Sequence, residues 1–283
     1  MEISPNLVSD SALVQETFDF LRAQGGRAPI TEIADVVLRL SHAGSELAAL
    51  LVADLVRNDL RFVIEGDHLA INDDGLALRP LKEVDFVVLD VEAIAGRSHP
   101  TRIIELAAYR LRSGEIIDEF QTLVNPGMPL PRFIAALTGL SDEVLKRSHA
   151  FADIVGPWLE FVGDAVLVAH NSDFDVPLLN QEIKRVFPGY RMRNSEVCTV
   201  KLARRLIHHS AGHNLDALAE HFGFEIPERH RAASDARATV RVLLHLLDIL
   251  DKHGVCTLAE ARSFRINIEP SRAELDLQLA LDV

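Results

Sequence analysis

An unbroken apolar run, Phe86 to Leu89, passes directly into Asp90 and Glu92, and this junction constrains the fold more than any other stretch of the chain. Such a run reads as a buried strand, and side chains alternate along a strand, so the two carboxylates at its end share one face. A second apolar run, residues 165 to 169, ends in His170-Asn171, and Asp175 follows in the first turn of a helix expected over 174 to 186. Asp235 opens a helical pattern that continues to about residue 250, with His230 just ahead of it. Three carboxylate-bearing segments thus stand at the ends of regular elements.

The order of elements selects the fold class. Strands are expected at 85–90, 102–111 and 115–123, then helices at 130–137 and 151–162, a strand at 164–169, and helices near 174–186, 196–207, 214–222 and 232–250. Three consecutive strands imply an antiparallel portion of a sheet. The later strand, reached through helices, is expected beside the first in parallel, which brings His170 and Asp175 to the same end as Asp90. The result is an α/β layer design, a mixed sheet flanked by helices.

Carboxylates gathered in one place repel each other unless hard divalent cations sit among them. Oxygen-only ligation suits Mg2+ or Mn2+, and two such ions about 3.5–4 Å apart clamp an in-line displacement at phosphorus. A histidine beside them is suited to taking the proton of an attacking water. The chemistry indicated is phosphodiester hydrolysis.

These residues carry a resemblance to the DEDD-type 3′-to-5′ exonucleases, in the histidine subgroup that includes the proofreading epsilon subunit of bacterial DNA polymerase III. The first motif stands as Asp90-Val91-Glu92, the second as His170-Asn171-Ser172-Asp173-Phe174-Asp175, and the third as His230 with Asp235. Connecting patterns of the family are matched at residues 124–145, 198–206 and 213–224, and the resemblance covers about 82 to 250. Asp-x-Glu alone is common, and His-x-x-x-x-Asp at a helix start is most often a cap. The ordered set carries the inference.

The resemblance implies a ribonuclease H-like sheet and two Mg2+ or Mn2+ ions held by Asp90, Glu92, Asp175 and Asp235, with His230 as general base. Within that set Asp90 would bridge both ions, Glu92 and Asp235 would serve the ion holding the attacking water, and Asp175 would act mainly through water. The bond broken would be the terminal 3′ phosphodiester, releasing nucleoside 5′-monophosphates. His170 and Asn171 are expected beside the substrate, and Phe174 is read as a core anchor. Ala93 and Ile94 stand where many relatives carry a Thr-Thr pair that contacts the terminal nucleotide, so the sugar preference does not transfer.

The net charge of −13 is unusual for an enzyme of nucleic acid, whose phosphates call for a basic surface. Lys184, Arg185, Arg191, Arg193, Lys201, Arg204 and Arg205 crowd a stretch whose single acid is Glu196, and Arg229 and Arg231 flank His230. In a helix Lys201 and Arg205 share a face. The stretch is either a strip directed at a nucleic-acid backbone, single-stranded by preference, or a solvated helix face.

Residues 1 to 80 read as a separate winged-helix-like α+β domain, ahead of an exonuclease domain at 81–250 and an extension at 251–283. Helices are expected at 11–24, 29–40 and 45–56, followed by a hairpin, 61–64 with 68–71, ending near Asp74-Gly75. Its third helix has Arg57 as its one basic residue, and residues 1 to 82 carry 7 Lys or Arg against 13 Asp or Glu. That balance opposes phosphate contact and favours a protein-contact or self-association module. In the extension, residues 253–264 read as a short helix and 274–283 as a short strand or exposed linear motif.

With 48% hydrophobic residues there is material for a real core, and no apolar run is long enough to span a membrane. Cys198 and Cys256 are too few for a disulfide framework, and a cytoplasmic setting is expected. Three functions are compatible: a DNA 3′-to-5′ exonuclease of repair or proofreading, an exoribonuclease with the same site, and a non-enzymatic adaptor acting through the N-terminal domain.

Overall fold

The computed structural model describes residues 4–57, 59–72, 75–94, 100–208 and 210–266. The N-terminal part runs β1 (Leu7–Ser9), α1 (Ala12–Ala23), β2 (Arg27–Pro29), α2 (Ile30–Val36), α3 (Ser45–Leu55), β3 (Phe62–Glu65) and β4 (His68–Ile71). Then follow β5 (Phe86–Ile94), β6 (Arg102–Arg112), β7 (Glu115–Asn125), α4 (Arg132–Thr138), α5 (Asp142–Arg147), β8 (His149–Ala150) and α6 (Phe151–Val162). The chain continues through β9 (Val166–Ala169), α7 (Ser172–Val186), β10 (Tyr190–Met192), β11 (Glu196–Cys198), α8 (Thr199–Leu206) and α9 (Leu215–His221). It ends in α10 (Ala232–Lys252) and α11 (Leu258–Ser263).

The central sheet has six strands in the order β11-β9-β5-β6-β7-β8. β5 is antiparallel to β6 and parallel to β9, with Phe86, Val87 and Val88 opposite Val166, Leu167 and Val168. Alternation along β5 divides the core into two layers. Val87, Leu89, Val91 and Ala93 meet α6 and α7 through Phe151, Trp158, Leu159, Leu179 and Ile183. Phe86 and Val88 meet α10 through Ala232, Ala236, Val240 and Leu243. The spacing of those α10 residues is one helical face, and the two alanines let its first turns come close to the sheet.

Residues 196–198 correct the sequence reading. They were expected to begin a helix, but they form β11, parallel to β9, and α8 starts only at Thr199. Three residues are too few to show a period of two, and a helical pattern directly behind them dominates any window. β1, β2, β8 and β10 had no local signal either, because each is a short segment held by a distant partner.

The first 72 residues build three helices and an antiparallel sheet, β2-β4-β3, around Leu21, Ile33, Val52 and Leu69. Their attachment to the rest is extensive. β1 pairs antiparallel with β10, Leu7 is buried in the main core, and the Asn6 side chain donates to Leu159 O at 3.0 Å and Gly163 O at 3.3 Å. Asp10 accepts an ion pair from Lys184, and Arg191 lies 3.6 Å from it. Leu7→Ala is therefore expected to destabilise the exonuclease core itself, by about 2–4 kcal/mol in denaturant melts followed through Trp158.

Beyond α10, Val255 and Ala261 join a cluster with Leu206, Leu218 and Leu246, so residues up to 266 pack on α8, α9 and α10. Leu81 N–H donates to Cys256 O at 2.7 Å, which fastens the connection ahead of β5 to the same region. The expected boundary at Asp74 and the segment 274–283 lie outside the described residues. No described helix is long and apolar enough to cross a membrane.

Candidate active site

Asp90 and Glu92 continue the row of Phe86 and Val88, so both carboxylates face the first turns of α10. Asp235 stands there, buried, one turn into that helix. β9 stops at Ala169, short of the end of β5, and the chain turns through Asn171 at φ 89° into α7. The Val91 N–H on that side of β5 is donated to Asp175 Oδ1 at 3.3 Å, which draws the third element to the strand end. Sheet termination thus places the third acid.

His230 lies in the left-handed region, φ 61°, with its N–H donating to Asp235 Oδ2 at 3.1 Å. Ligand atoms of Glu92, His230 and Asp235 all lie within 4.8 Å of one another. Arg229 bonds the same Asp235 oxygen and holds Asp216, with Nε 2.6 Å from Oδ1. On the other flank Arg231 meets Glu105 at 3.0 Å, and Glu105 also accepts from Ala232 N–H at 3.2 Å. Glu105 faces Glu92 across β5 and β6, so β6 caps the start of α10 directly over the site.

Charge crowding is recorded in the protonation equilibria. Burial first, then Asp175, Asp235 and Glu92, push Asp90 well above the usual carboxylate range, with Arg229 opposing. Burial, Asp235 and Glu105 push Glu92 up to about 7. Burial pushes Asp175 to about 7 against the pull of the Val91 N–H. Asp235 Oδ1 is buried without a hydrogen-bond partner among the described residues. Four oxygen donors that repel each other, one of them an orphan, fit a hard divalent cation.

This has a consequence for stability. Glu92 and Asp175 have folded-state values near 7 against ordinary values of 4.5 and 3.8, so their contribution is present at low pH and is lost as pH rises towards and through 7. His170, lowered from 6.5 to about 4 by burial, acts oppositely, its contribution falling away as pH drops below 6.5. In EDTA the stability, followed as the melting temperature, is expected to fall steadily from pH 5 to pH 7, by an amount on the order of 3 kcal/mol. Excess Mn2+ should reverse the fall. A metal-free melting temperature that does not drop over this range would contradict it.

The other expected site residues are placed less uniformly. His170 Nδ1 lies 2.8 Å from Thr199 Oγ1, whose own hydrogen goes to Ala169 O, and the buried Nε2 makes no well-formed hydrogen bond among the described residues. Ala93 and Ile94 are buried, Ile94 among Ile104, Leu130 and Ile134, which leaves the Ile94 side chain no free face for a nucleotide. A bulge puts Ala93 opposite Ile103 and turns both Ile103 and Ile104 inward.

Most of the basic stretch is engaged within the protein. Lys201 pairs with Asp173 at 2.7 Å, Arg205 donates to Phe264 O at 3.2 Å, and Arg193 pairs with Asp164 at 2.5 Å. Arg229 and Arg231, expected to face substrate, are likewise held by carboxylates. Phe174 corrects the sequence reading: it is 44% exposed, because α7 turns Asp175, Val176 and Leu179 inward and position 174 to the opposite side. Glu105 has no motif to mark it, and Asp216, inside the pattern at 213–224, has no role assigned by that pattern.

The chain is similar to known proteins in sequence and in fold. The family described as Exonuclease (RNase_T) matches residues 87–243. DNA polymerase III PolC-type of Caldanaerobacter subterraneus subsp. tengcongensis is 33% identical over 206 residues, covering 71% of this chain and 15% of that protein. The chain thus spans about a seventh of the PolC-type relatives it matches. The DNA polymerase III epsilon subunit of Aquifex aeolicus is 36% identical over 171 residues, 60% of this chain and 84% of its own length. In fold, the nuclease domain of 3′hExo, a DEDDh family member, superposes with a TM-score of 0.53 at 19% identity, over 68% of this chain and 100% of that one. With the acids of β5, α7 and α10 gathered at one sheet end and more than half of the chain matched, this protein belongs to the exonuclease family.

Proposed function

We propose that the chain is a 3′-to-5′ exonuclease that hydrolyses the terminal phosphodiester of single-stranded DNA to nucleoside 5′-monophosphates, in repair or proofreading. The observation that supports it best is the mutual repulsion of Asp90, Glu92, Asp175 and Asp235 around an orphaned carboxylate oxygen. Exonucleases of this family depend on divalent metal; here Mg2+ or Mn2+, two ions, is the choice that fits an all-carboxylate donor set. When bound, the ions would neutralise the acids, bind the phosphate and make a water acidic. The four acids would hold them, and His230 would take the proton of the attacking water. Phe174, exposed one residue before Asp175, offers a ring on which a terminal base stacks. His170 and Asn171 flank the substrate. Arg204, exposed and without an ion pair among the described residues, is the cation of the basic stretch left for phosphate, with Lys201 available on exchange from Asp173.

DNA is favoured because the two relatives compared above by sequence are DNA polymerase III proteins. An exoribonuclease is the second reading, supported by Ala93 and Ile94, which offer no hydroxyl by which the sugar is sorted. Residues 1–80 are proposed as a winged-helix-like module for protein contact, since α3 exposes Leu47 and Leu50 where a nucleic-acid reader would carry cations. A cytoplasmic setting fits these roles. The test is product analysis on matched single-stranded DNA and RNA oligomers with Mg2+ or Mn2+. Metal-dependent release of mononucleotides supports the proposal and shows the sugar; cleavage of neither strand turns the reading towards an adaptor.

A further inference from the structure

The four acids and the histidine leave Arg229 and Asp216 unaccounted for, yet both converge on Asp235. Asp216 lies in the first turn of α9 and takes the guanidinium side-on, with Nε 2.6 Å from Oδ1 and Nη2 3.3 Å from Oδ2. That grip uses one edge of the fork and leaves Nη1, the nitrogen that bonds Asp235 Oδ2. The same oxygen accepts the His230 N–H at 3.1 Å. Oδ2 therefore has two donors, and Oδ1 of the same carboxylate has none among the described residues and is buried. A carboxylate with one oxygen saturated by the protein and the other left bare has its rotation locked, and its bare oxygen is the one available to a ligand.

We propose that Arg229 and Asp216 are positioning residues: Asp216 grips the guanidinium, the guanidinium with the His230 N–H holds one oxygen of Asp235, and the other oxygen is thereby presented to the cation. The proposal rests on the reading of Asp235 as a metal ligand. It differs from a phosphate-binding role for Arg229, because the donor that faces the site is already spent on Asp235. It also differs from a simple surface ion pair, since the Asp235 side chain is buried and the Arg229 side chain is 29% exposed. Outer partners of this kind orient a metal's ligands, and losing one typically costs 10–100-fold in metal affinity or activity. Lysine cannot take over, having no planar fork with which to hold two carboxylates at once.

Mn2+ binding by titration calorimetry on the full chain tests this, with Asp216→Asn, Asp216→Glu, Arg229→Lys and Arg229→Gln, and Asp90→Asn as the reference for a broken site. Metal-free melting temperatures accompany each variant. The expected result is a 10–100-fold weaker Mn2+ affinity in Asp216→Asn and in both Arg229 variants, partial recovery in Asp216→Glu, and an equal rise in the Mn2+ concentration for half-maximal turnover. Saturating Mn2+ should restore most of kcat, which a purely structural loss would not allow.

Wild-type affinity in Asp216→Asn and Arg229→Gln, with binding lost in Asp90→Asn, would overturn the positioning role and leave the site standing. Tighter Mn2+ binding in Arg229→Gln would also overturn it, since the arginine would then be a competing cation. Absence of Mn2+ binding in the wild type would bring down the proposal together with the metal-ligand reading beneath it. Should one variant fail to fold, Arg229→Lys, which keeps the charge, decides the question.

Discussion

His230→Gln is expected to lower kcat by about 10²–10⁴-fold, the range for loss of a positioned general base. The residue is held for that task from both sides. Its backbone sits at φ 61°, a conformation uncommon for a residue with a side chain, and its N–H is bonded to Asp235 Oδ2. Arg229 is anchored to Asp216 and Arg231 to Glu105, so the residues before and after it have little freedom. Glutamine keeps the polarity but does not accept a proton near neutral pH. Single-turnover hydrolysis of a 3′-labelled oligomer, with strand binding measured separately by fluorescence anisotropy, checks the outcome. Binding should stay within about threefold, because the loss falls on the proton transfer. Turnover within tenfold of wild type would remove His230 from the role of base.

Asp90→Asn should abolish measurable turnover while making the metal-free protein more stable. Both effects have one cause. Asp90 is desolvated and pressed by three other carboxylates, so its charge is the most strongly opposed in the site. An amide of the same shape removes that repulsion, raising the metal-free melting temperature by several degrees above pH 7. It also removes the ligand set's central charge, so the rise in melting temperature that Mn2+ gives the wild type should disappear. Activity and stability then move in opposite directions, as they do where a functional site is built from groups that oppose one another. Thermal melts at pH 8, with EDTA and with Mn2+, read both at once. A variant less stable than wild type in EDTA would show that Asp90 supports the fold rather than burdening it.

The site was legible wherever local pattern and chemistry coincide. Asp90 and Glu92 follow an apolar run whose alternation already puts them on one face, and α10 shows its buried stripe at residues 232, 236, 240 and 243. Phe174 misled for a related reason: an aromatic residue beside a buried strand suggests a core position. Its face is set by the helix phase of Asp175, Val176 and Leu179. The basic stretch stayed open between two readings because a count of cations says nothing about which of them already have partners. Lys184, Arg185 and Arg193 meet Asp10, Glu182 and Asp164, acids far away in the chain or one helical turn away.

The N-terminal residues show the same limit. Their helices and hairpin follow from periodicity and from Gly66 at the turn, and the acidic balance is a matter of counting. That Leu7 is buried in the main core, and that β1 completes a ladder with β10, depends on a segment more than 180 residues away. No window of sequence contains both.

By itself the sequence determined the order of the longer strands and helices, the two faces of β5, and the identity of the four acids and the histidine, because each is written in side-chain type and short-range period. The tertiary structure alone decided that β9 ends early enough to send the Val91 N–H to Asp175, that Glu105 caps α10 from across the sheet, and that Asp216 holds Arg229 against Asp235. Those contacts join residues 6 to 127 positions apart, and a carboxylate's orientation is settled only by which donors the folded chain brings to each of its oxygens.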